Sequence, residues 1–268
     1  MTRRRLDQEL VRRGLAVSRV QAQELVAASK VLVSGAIADK PTRLVSPADP
    51  VILTVEKSRF VSRGGDKLQA AIDAFKIVVT GSRVIDAGAS TGGFTDCALQ
   101  SGAAIVVAVD VGHGQLHERI RRDERVKVWE RTNVRNICAD EIGGPADLVV
   151  ADLSFISLRT VLSNLADFLE QQGDLVMLVK PQFEASRKEA DRGRGVIRDP
   201  KVWQRVLHEV ATAVDAAGLA VIGLIHSPLL GGNGNSEFLM HARKSESITY
   251  SDIDVDTLIT QIILEVAP

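Results

Sequence analysis

The sequence predicts an α/β protein, with a small N-terminal α+β domain followed by a doubly wound sheet that ends in an antiparallel hairpin. Three observations predict it. Apolar strand patterns alternate with helical patterns from residue 66 onward, and a glycine-rich turn, 86–94, links the first of these strands to a helix. Residues 1–56 have a separate pattern of two short helices and two short strands.

The small domain is expected to span residues 1–56. Leu6 and Leu10 lie on one side of a short helix that ends near Gly14, and Ser18 is a suitable N-cap for a second helix. The two strands are expected at Val31–Val33 and Val51–Val55.

Basic residues are concentrated in the first quarter of the chain. Residues 1–67 carry 13 Lys and Arg against 7 Asp and Glu, a net charge of +6, whereas residues 68–268 carry 20 against 27, a net charge of −7. A basic segment joined to an acidic body indicates a polyanionic partner, and such helices can follow folded RNA through phosphate contacts. The candidate RNA-binding residues are Arg3, Arg4, Arg5, Arg12, Arg13, Arg19, Lys30, Lys40 and, beyond residue 56, Arg63.

Residues 57–65 are predicted to be an interdomain linker, because the segment is basic and ends in two glycines. Phe60 within it either packs as an apolar plug or stacks on a base, and packing is the more common role for a lone phenylalanine. Residues 66–268 then form a single larger domain.

That larger domain alternates between strands and helices. The predicted strands are Val84–Asp86, Ile105–Asp110, Val126–Trp129, Leu148–Asp152, Leu175–Lys180, Val221–His226 and Phe238–Ala242. The predicted helices are Asp66–Phe75, Gly93–Ser101, Ser157–Glu170 and Lys201–Ala217, with two short helical pieces near Leu116–Arg122 and Cys138–Ile142. Because only a glycine-rich segment separates the last two strands, they are expected to form a hairpin, which favours a methyltransferase sheet over a plain dinucleotide-binding sheet.

The glycine-rich turn predicts a nucleoside cofactor. Small residues let the backbone approach a ligand, and the following helix offers free N–H donors. Asp110 ends the next strand, where a carboxylate can accept hydrogen bonds from a ribose. The turn does not match the dinucleotide or P-loop patterns, and Asp86 favours a cationic ligand such as S-adenosylmethionine over a pyrophosphate.

Four charged residues in four separate segments are the candidate catalytic group. Asp152, Lys180 and Glu237 stand at the ends of apolar strand patterns, and Lys67 lies in the first helix of the larger domain. A charge beside a buried strand is costly without a partner, and strand ends are where open α/β sheets bind ligands. The alternative, for each residue taken singly, is a surface ion pair.

Other site chemistries are less well supported. Gly88–Gly92 fits the G-x-S-x-G pattern of serine hydrolases, with His226 or His241 as partners, but no earlier strand of this domain is available to supply an oxyanion hole. His113 and His117 have the spacing of a metal pair but no evident third ligand, so no metal is predicted.

Composition favours a cytoplasmic protein. The chain is 45% apolar and 25% charged, which supports a sizeable core. Its two cysteines, Cys97 and Cys138, form no CxxC pair, and no apolar run is long enough to cross a bilayer. The start of the chain lacks the apolar core of a signal peptide.

Several runs together resemble the TlyA family of bacterial rRNA 2′-O-methyltransferases, whose members were first described as haemolysins. The N-terminal run from Arg5 to Arg19 is similar to the RNA-binding domain of the fourth small-subunit ribosomal protein. The catalytic runs are Val61–Leu68, Asp86–Thr95, Asp110–Leu116, Glu130–Asn133, Ala151–Ser157 and Val179–Glu184. One departure is Ser58–Val61, where mycobacterial members have Arg-x-Trp-Val.

The resemblance implies a Rossmann-like class I methyltransferase domain with a seven-stranded sheet. It also implies methyl transfer from S-adenosylmethionine to a cytidine ribose in ribosomal RNA, and an effect on sensitivity to capreomycin-type antibiotics. The family's Lys-Asp-Lys-Glu group falls on Lys67, Asp152, Lys180 and Glu237. The candidate cofactor-binding residues are Asp86, Gly88, Ser90, Thr91, Gly92, Phe94, Asp110, Val111, Asn133 and Asp152.

In the expected mechanism Lys180 is the general base for the 2′-hydroxyl. Asp152 faces the methyl-bearing end of the cofactor, Glu237 orients Lys180, and Lys67 positions the hydroxyl or a neighbouring phosphate. Two alternatives stay open: an rRNA-binding assembly factor without chemistry, and a membrane-active haemolysin. The partner expected in each RNA-related case is ribosomal RNA within ribosomal subunits.

Overall fold

The protein, described from a computed structural model, forms two compact units that divide between residues 58 and 59. The structure describes residues 3–16, 18–54, 59–244 and 254–267. The predicted boundaries at residues 56 and 65 stay predictions. Of the predicted linker, residues 57 and 58 lie outside the described residues, and residues 59–65 belong to the second unit.

The first unit is a small α+β domain, as predicted. Its elements are β1 (Arg4–Arg5), α1 (Leu6–Arg12), α2 (Arg19–Ala27), β2 (Val31–Val33), β3 (Ala36–Ile37), β4 (Leu44–Val45) and β5 (Val51–Leu53). β2 pairs antiparallel with β3 and β5, and β1 pairs antiparallel with β4. Ser18 caps α2 by accepting a hydrogen bond from the Gln21 amide. Leu6 and Leu10 are fully buried beside Val26 and Val31 in the core of this unit.

The second unit contains a seven-stranded sheet. Its first elements are α3 (Gly64–Phe75), β6 (Arg83–Ala87), α4 (Gly93–Gln100), β7 (Ile105–Val109), α5 (Glu118–Arg121), β8 (Val126–Trp129) and β9 (Ala146–Ala151). Its later elements are α6 (Leu162–Asp167), β10 (Leu169–Val179), α7 (Pro181–Glu184), α8 (Arg187–Arg192), α9 (Pro200–Ala216), β11 (Ala220–His226), β12 (Phe238–Arg243) and α10 (Val255–Val266).

The strand order is β11-β12-β10-β9-β6-β7-β8. Strands β6 to β10 are mutually parallel, and β12 is antiparallel to both β10 and β11. The predicted hairpin is therefore confirmed, and its last strand inserts between β10 and β11. The order reverses beside β6, so the end of β6 is a topological switch point where ligands bind in such sheets.

The sheet is buried on both faces, which explains the continuous apolar runs of β6, β7 and β9. On one face, α9 begins with Asp199 as N-cap and Pro200 in its first turn, and it buries Trp203, Val206 and Val210. Phe60 is only 3% exposed and joins the core on the other face. A side chain at Gly65 would collide with its ring, so this glycine permits close packing.

Two predicted helices differ from the structure, whereas the short helical piece predicted near Leu116–Arg122 is confirmed as α5. The segment 138–142 contains a 3₁₀ turn, Asp140–Ile142, and no α-helix. The predicted helix 157–170 is a 3₁₀ turn, Leu158–Thr160, followed by the short α6, because β10 already begins at Leu169.

The C-terminal helix α10 was not predicted, and it buries Val255 and Ile259. Within the described ranges, no helix is both long enough and apolar enough to cross a membrane.

Candidate active site

Five charged residues gather at one edge of the large sheet. Asp86 lies near the end of β6, while Asp110, Asp152 and Lys180 directly follow β7, β9 and β10. These strands are parallel, so their carboxyl ends meet at the same edge. Glu237 directly precedes β12. Because β12 is antiparallel to β10, the amino end of β12 lies at the same edge, and Glu237 lies there too.

The four predicted catalytic residues form two ion pairs. Lys180 Nζ lies 2.6 Å from Asp152 Oδ1, and Lys67 Nζ donates to Glu237 Oε2 at 2.5 Å. The expectation that Glu237 orients Lys180 is wrong, because the Glu237 carboxylate instead accepts from Lys67. Both lysines are buried, so each needs its carboxylate partner.

Ser154 completes the surroundings of Lys180. The Lys180 ammonium donates to Ser154 Oγ at 2.8 Å and lies 5.8 Å from the centre of the Phe183 ring. Ser154 lies two residues after Asp152, so the segment that follows β9 supplies two polar contacts to the same amine. The sequence prediction missed Ser154, although it lies within the run 151–157 that resembled the methyltransferase family.

An aromatic pair lies beside this amine. Phe155 is 92% exposed and has a φ of +64°, a backbone conformation that is uncommon for a bulky residue. Its ring centre lies 5.2 Å from that of Phe183. An exposed phenylalanine held by an unusual backbone conformation next to a catalytic candidate provides an apolar face at the cleft.

Glu184 connects the two segments that carry Asp152 and Lys180. It is 4% exposed, and its carboxylate accepts from Ser157 Oγ at 2.5 Å and from the Leu158 amide at 2.6 Å. Arg159 donates to the same carboxylate and to the Glu184 carbonyl. These hydrogen bonds hold the segment after β9 against α7, the helix that begins directly after Lys180.

Two cavities meet at Asp152. The first, of about 480 Å³, falls within the roughly 300–1,000 Å³ usual for small-ligand sites. Its lining includes Asp110, Val111, Asn133, Asp152 and Phe155. The second, of about 270 Å³, is lined by residues that include Arg63, Lys67, Thr91, Phe94, Asp152, Ser154, Lys180 and the loop Leu230–Gly232. Gly88, Ser90, Asp152 and Ser154 line both, so the two spaces share a wall.

The glycine-rich turn forms part of that shared wall. Gly88 has a φ of +91°, and a Cβ there would lie 2.8 Å from the Asp152 carbonyl oxygen. Glycine is therefore required by conformation and by the close approach of the two strand ends. The Asp110 carboxylate accepts from the amides of Ser90 at 2.8 Å and Gly112 at 2.6 Å, which fixes its position in the first cavity.

Eight of the ten predicted cofactor-binding residues line one of the cavities, and Asp86 and Gly92 do not. Asp86 is fully buried, with Thr95 Oγ1 donating to its Oδ2 at 2.6 Å. Its Oδ1 has no hydrogen-bond partner in the described part of the chain, and burial raises the pKa of Asp86 to about 7. Asp86 therefore lies behind the turn and lines neither cavity, and its assignment to the binding of a cationic cofactor stays a prediction.

The alternative chemistries do not assemble. Among the described residues, the Ser90 hydroxyl bonds to Gln115, His241 bonds to Asp174, and His226 Nε2 has no hydrogen-bond partner, so neither histidine is bonded to Ser90. His113 lies 2.8 Å from Glu130, and the His117 ring accepts from the Arg119 amide. No cluster of three or more metal-ligand side chains occurs among the described residues.

The nine predicted RNA-binding residues fall into two sets. Arg5 and Arg19 pair with Asp7, and Arg12 and Arg13 pair with Glu9. Arg13 also donates to the carbonyls of Ser46, Pro47 and Asp49, so it fastens the loop before β5 to α1. The hydrogen bonds from Arg12 and Arg13 lower the pKa of Glu9 to about 2.

The second set has free charges. Across the described ranges, Arg3, Arg4, Lys30, Lys40 and Arg63 make no side-chain hydrogen bond or ion pair, and all five are exposed. The two sets differ in what they can offer a polyanion, because a free, solvated cation is available for phosphate contacts and a paired one is already engaged.

Comparison with known proteins gives two family matches. The FtsJ-like methyltransferase family matches residues 60–244, and the S4 domain matches residues 4–51. The chain is 49% identical, over 90% of both chains, to the 16S/23S rRNA (cytidine-2′-O)-methyltransferase TlyA of Mycobacterium tuberculosis. It is 35% identical to Hemolysin A of Brachyspira hyodysenteriae, over 88% of this chain and 98% of that protein.

A solved structure supports the same grouping. A candidate hemolysin from Streptococcus thermophilus is 40% identical and superposes with a TM-score of 0.79, covering 99% of this chain and 96% of that chain. A methyltransferase structure from Listeria monocytogenes, at 15% identity and a TM-score of 0.52, shares the fold of the larger unit.

Proposed function

The chain belongs to the FtsJ-like methyltransferases and, among them, to the TlyA family, and on that basis we propose that it methylates the ribose 2′-hydroxyl of a cytidine in ribosomal RNA. The observation that carries this proposal is the meeting of the two cavities at Asp152, 2.6 Å from the amine of Lys180. One cavity suits a cofactor, and the other suits the group that receives the methyl.

The residues of the larger cavity fit S-adenosylmethionine. Asp110 supplies a carboxylate at the end of β7, as ribose recognition requires, and Asn133 adds an amide to the lining. Asp152 places a carboxylate where the two cavities meet, which suits the positively charged end of this cofactor. When bound, S-adenosylmethionine supplies an electrophilic methyl group.

Lys180 is proposed as the general base. A 2′-hydroxyl is a weak nucleophile until its proton is removed, and the Lys180 amine lies at the wall of the second cavity. Asp152 and Ser154 hold that amine in place, and Phe183 excludes water from one side of it. As a base, Lys180 Nζ would act as the uncharged amine and take up the hydroxyl proton, while the new bond from oxygen to carbon would form as the bond between that carbon and the cofactor's sulfur breaks.

Lys67 and Glu237 are proposed to position the acceptor. The Lys67 ammonium lines the second cavity and is held by Glu237, so it presents a fixed positive charge to the hydroxyl or to a neighbouring phosphate. Positioning of this kind is a large part of the acceleration of a two-substrate reaction.

The acceptor side suits an unstacked nucleotide. A base removed from its helix commonly stacks on an aromatic side chain. The exposed Phe155, which lines the first cavity directly after Ser154 of the shared wall, is proposed for that role. The first unit is called the S4 unit from here on, because the S4 domain matches residues 4–51. Its free cations are proposed to contact the RNA backbone; they are Arg3, Arg4, Lys30 and Lys40. The proposal has three further parts. The substrate is ribosomal RNA within ribosomal subunits, its methylation affects sensitivity to capreomycin-type antibiotics, and the protein is cytoplasmic.

The proposal is tested by incubating the purified protein with methyl-labelled S-adenosylmethionine and unmodified ribosomal subunits, followed by mapping of the label. We expect label on a cytidine ribose. Tight RNA binding without label would instead favour an assembly factor, and label on a base would contradict the proposed acceptor.

A further inference from the structure

The stretch from Arg187 to Lys201, named here the basic ridge, carries six exposed cations: Arg187, Lys188, Arg192, Arg194, Arg198 and Lys201. In the part of the chain that the structure describes, none of the six side chains has a hydrogen bond or an ion pair. A cluster of unpaired cations is costly through mutual repulsion unless a polyanion neutralises it.

Other arginines of the same unit show the opposite pattern. On and around α5, Arg119 pairs with Asp96, Arg121 with Glu130, Arg122 with Glu118, and Arg125 with Asp123. The acidic residues of the basic ridge leave its cations free. The Glu189 carboxylate pairs with Arg205 and forms a capping box with Ser186. The Asp199 side chain caps α9, and Asp191 is exposed.

The ridge has a defined structure. α8 begins with a capping box formed by Ser186 and Glu189. Val196 and Ile197 are buried, and the Trp203 indole donates to the Ile197 carbonyl at 3.0 Å. A side chain at Gly193 would collide with the Val196 carbonyl, so the turn is tight. The backbone that carries the cations is therefore ordered before binding, which reduces the entropy cost of binding.

Both ends of the ridge are attached to the catalytic cleft. At its start, only α7 and two residues separate it from Lys180. At its other end, the buried Asn235 accepts from the Ile197 amide and donates to the carbonyls of Gly195 and Gly232. Gly232 lines the cavity that contains Lys67 and Lys180, and Glu237 follows Asn235 by two residues.

A cavity of about 360 Å³ lies within the ridge, and its lining includes Arg192 and Arg198. Glu189 and Asp199 also line it, so its charge is mixed, but both carboxylates are already hydrogen-bonded within the fold. Two free guanidinium groups beside one cavity suit a phosphate, which arginine can bind through paired hydrogen bonds.

We propose that the basic ridge is a second RNA-contact surface, which binds phosphates of the strand next to the target nucleotide. This inference rests on the proposed function. It adds that RNA is held by the methyltransferase unit itself, at the cleft, as well as by the S4 unit.

The test compares two triple variants of the full-length protein with equal loss of charge. The first is Arg187→Gln/Arg192→Gln/Arg198→Gln on the ridge. The matched control is Lys76→Gln/Lys127→Gln/Arg131→Gln, at exposed positions outside the ridge and both clefts, whose side chains likewise make no hydrogen bond or ion pair in the described part of the chain. Affinity for ribosomal subunits is measured by filter binding over a series of salt concentrations, with cofactor binding as the check that each variant is folded.

We expect the ridge variant to reduce the slope of log affinity against log salt by about two, since each lost phosphate contact removes roughly 0.7–0.9 from it. The KM for subunits should rise about tenfold or more while kcat at saturation changes less than threefold. The control should match the wild type.

If the ridge and control variants have the same slope and KM, the inference is overturned while the proposed function stands. If the wild type itself transfers no methyl to the subunits, the proposed function fails and the inference falls with it.

Discussion

Lys67 and Glu237 form an ion pair at 2.5 Å although 170 residues separate them in the sequence. The pair joins the first helix of the methyltransferase unit to the last strand of its sheet, and its side chains are only 10% and 3% exposed. Removing one partner of such a pair leaves an uncompensated buried charge, whereas removing both does not.

The first prediction concerns this pair. Glu237→Gln should lower the free energy of unfolding by about 3 kcal/mol, and the double variant Lys67→Met/Glu237→Gln should recover most of that loss. Urea unfolding followed by the fluorescence of Trp129 and Trp203, which both lie in this unit, measures it. Equal destabilisation of the single and double variants would show that the pair does not stabilise the fold as described.

The second prediction concerns Asp86 and pH. Burial raises the pKa of this carboxyl to about 7 from its ordinary value of 3.8. A raised folded-state pKa means that stability is lost as the pH rises above about 4, because the unfolded chain ionises first, and the loss levels off above about 7.

Asp86→Asn removes the titrating group and keeps an acceptor for Thr95. The variant should therefore gain stability relative to the wild type between pH 4 and pH 7, by at most about 4 kcal/mol. Unfolding curves of both proteins at several pH values provide the comparison. A difference that does not change with pH would contradict the burial argument.

The third prediction separates the two sets of basic residues in the S4 unit. Arg13→Gln should reduce the stability of that unit by about 2 kcal/mol, because it loses hydrogen bonds to Glu9 and to three carbonyls. Arg4→Gln should leave stability unchanged and reduce the salt slope of RNA binding by about one.

Hydrogen exchange of residues 3–54 and filter binding measure these two effects. The distinction between paired and free cations would be lost if Arg4→Gln destabilised the unit, or if Arg13→Gln changed only the RNA affinity.

The fourth prediction concerns Glu184. Its carboxylate holds Ser157 and Leu158 beside the segment that carries Lys180, so Glu184→Gln should lower kcat about tenfold while the Kd of the cofactor changes less than threefold. The matched control is Glu209→Gln, since Glu209 also contacts Arg159 but at the surface. A similar loss of activity in both variants would indicate a general effect of Arg159 and argue against a role for the carboxylate of Glu184.

The fold was predictable where local pattern and burial agree. The strands β6, β7 and β9 are buried on both faces, so their continuous apolar runs identify them. The segment 157–170 was mispredicted because its apolar residues pack in the core from a 3₁₀ turn and a short helix, and spacing alone does not distinguish these from a continuous helix.

The sequence predicted which charged residues lie together at the edge of the sheet, but it did not predict how they pair. Charges at strand ends indicated Asp152, Lys180 and Glu237, because parallel strands end at a common edge. Which carboxylate meets which lysine depends on helix α3 and on side-chain directions across the sheet, so the Lys67–Glu237 pair could not be read from spacing. Ser154 and Glu184 were missed for the same reason, since their contacts join segments 26 or 27 residues apart.

Lys180 is proposed as the base for methyl transfer to a ribose hydroxyl. The most direct test of this role is the single-turnover rate of methyl transfer to ribosomal subunits by Lys180→Ala, beside Lys76→Ala as a control at an exposed lysine. We expect a loss of about 10²–10⁴-fold for Lys180→Ala, with cofactor binding retained and the control unchanged. A rate within tenfold of the wild type for Lys180→Ala would contradict this role.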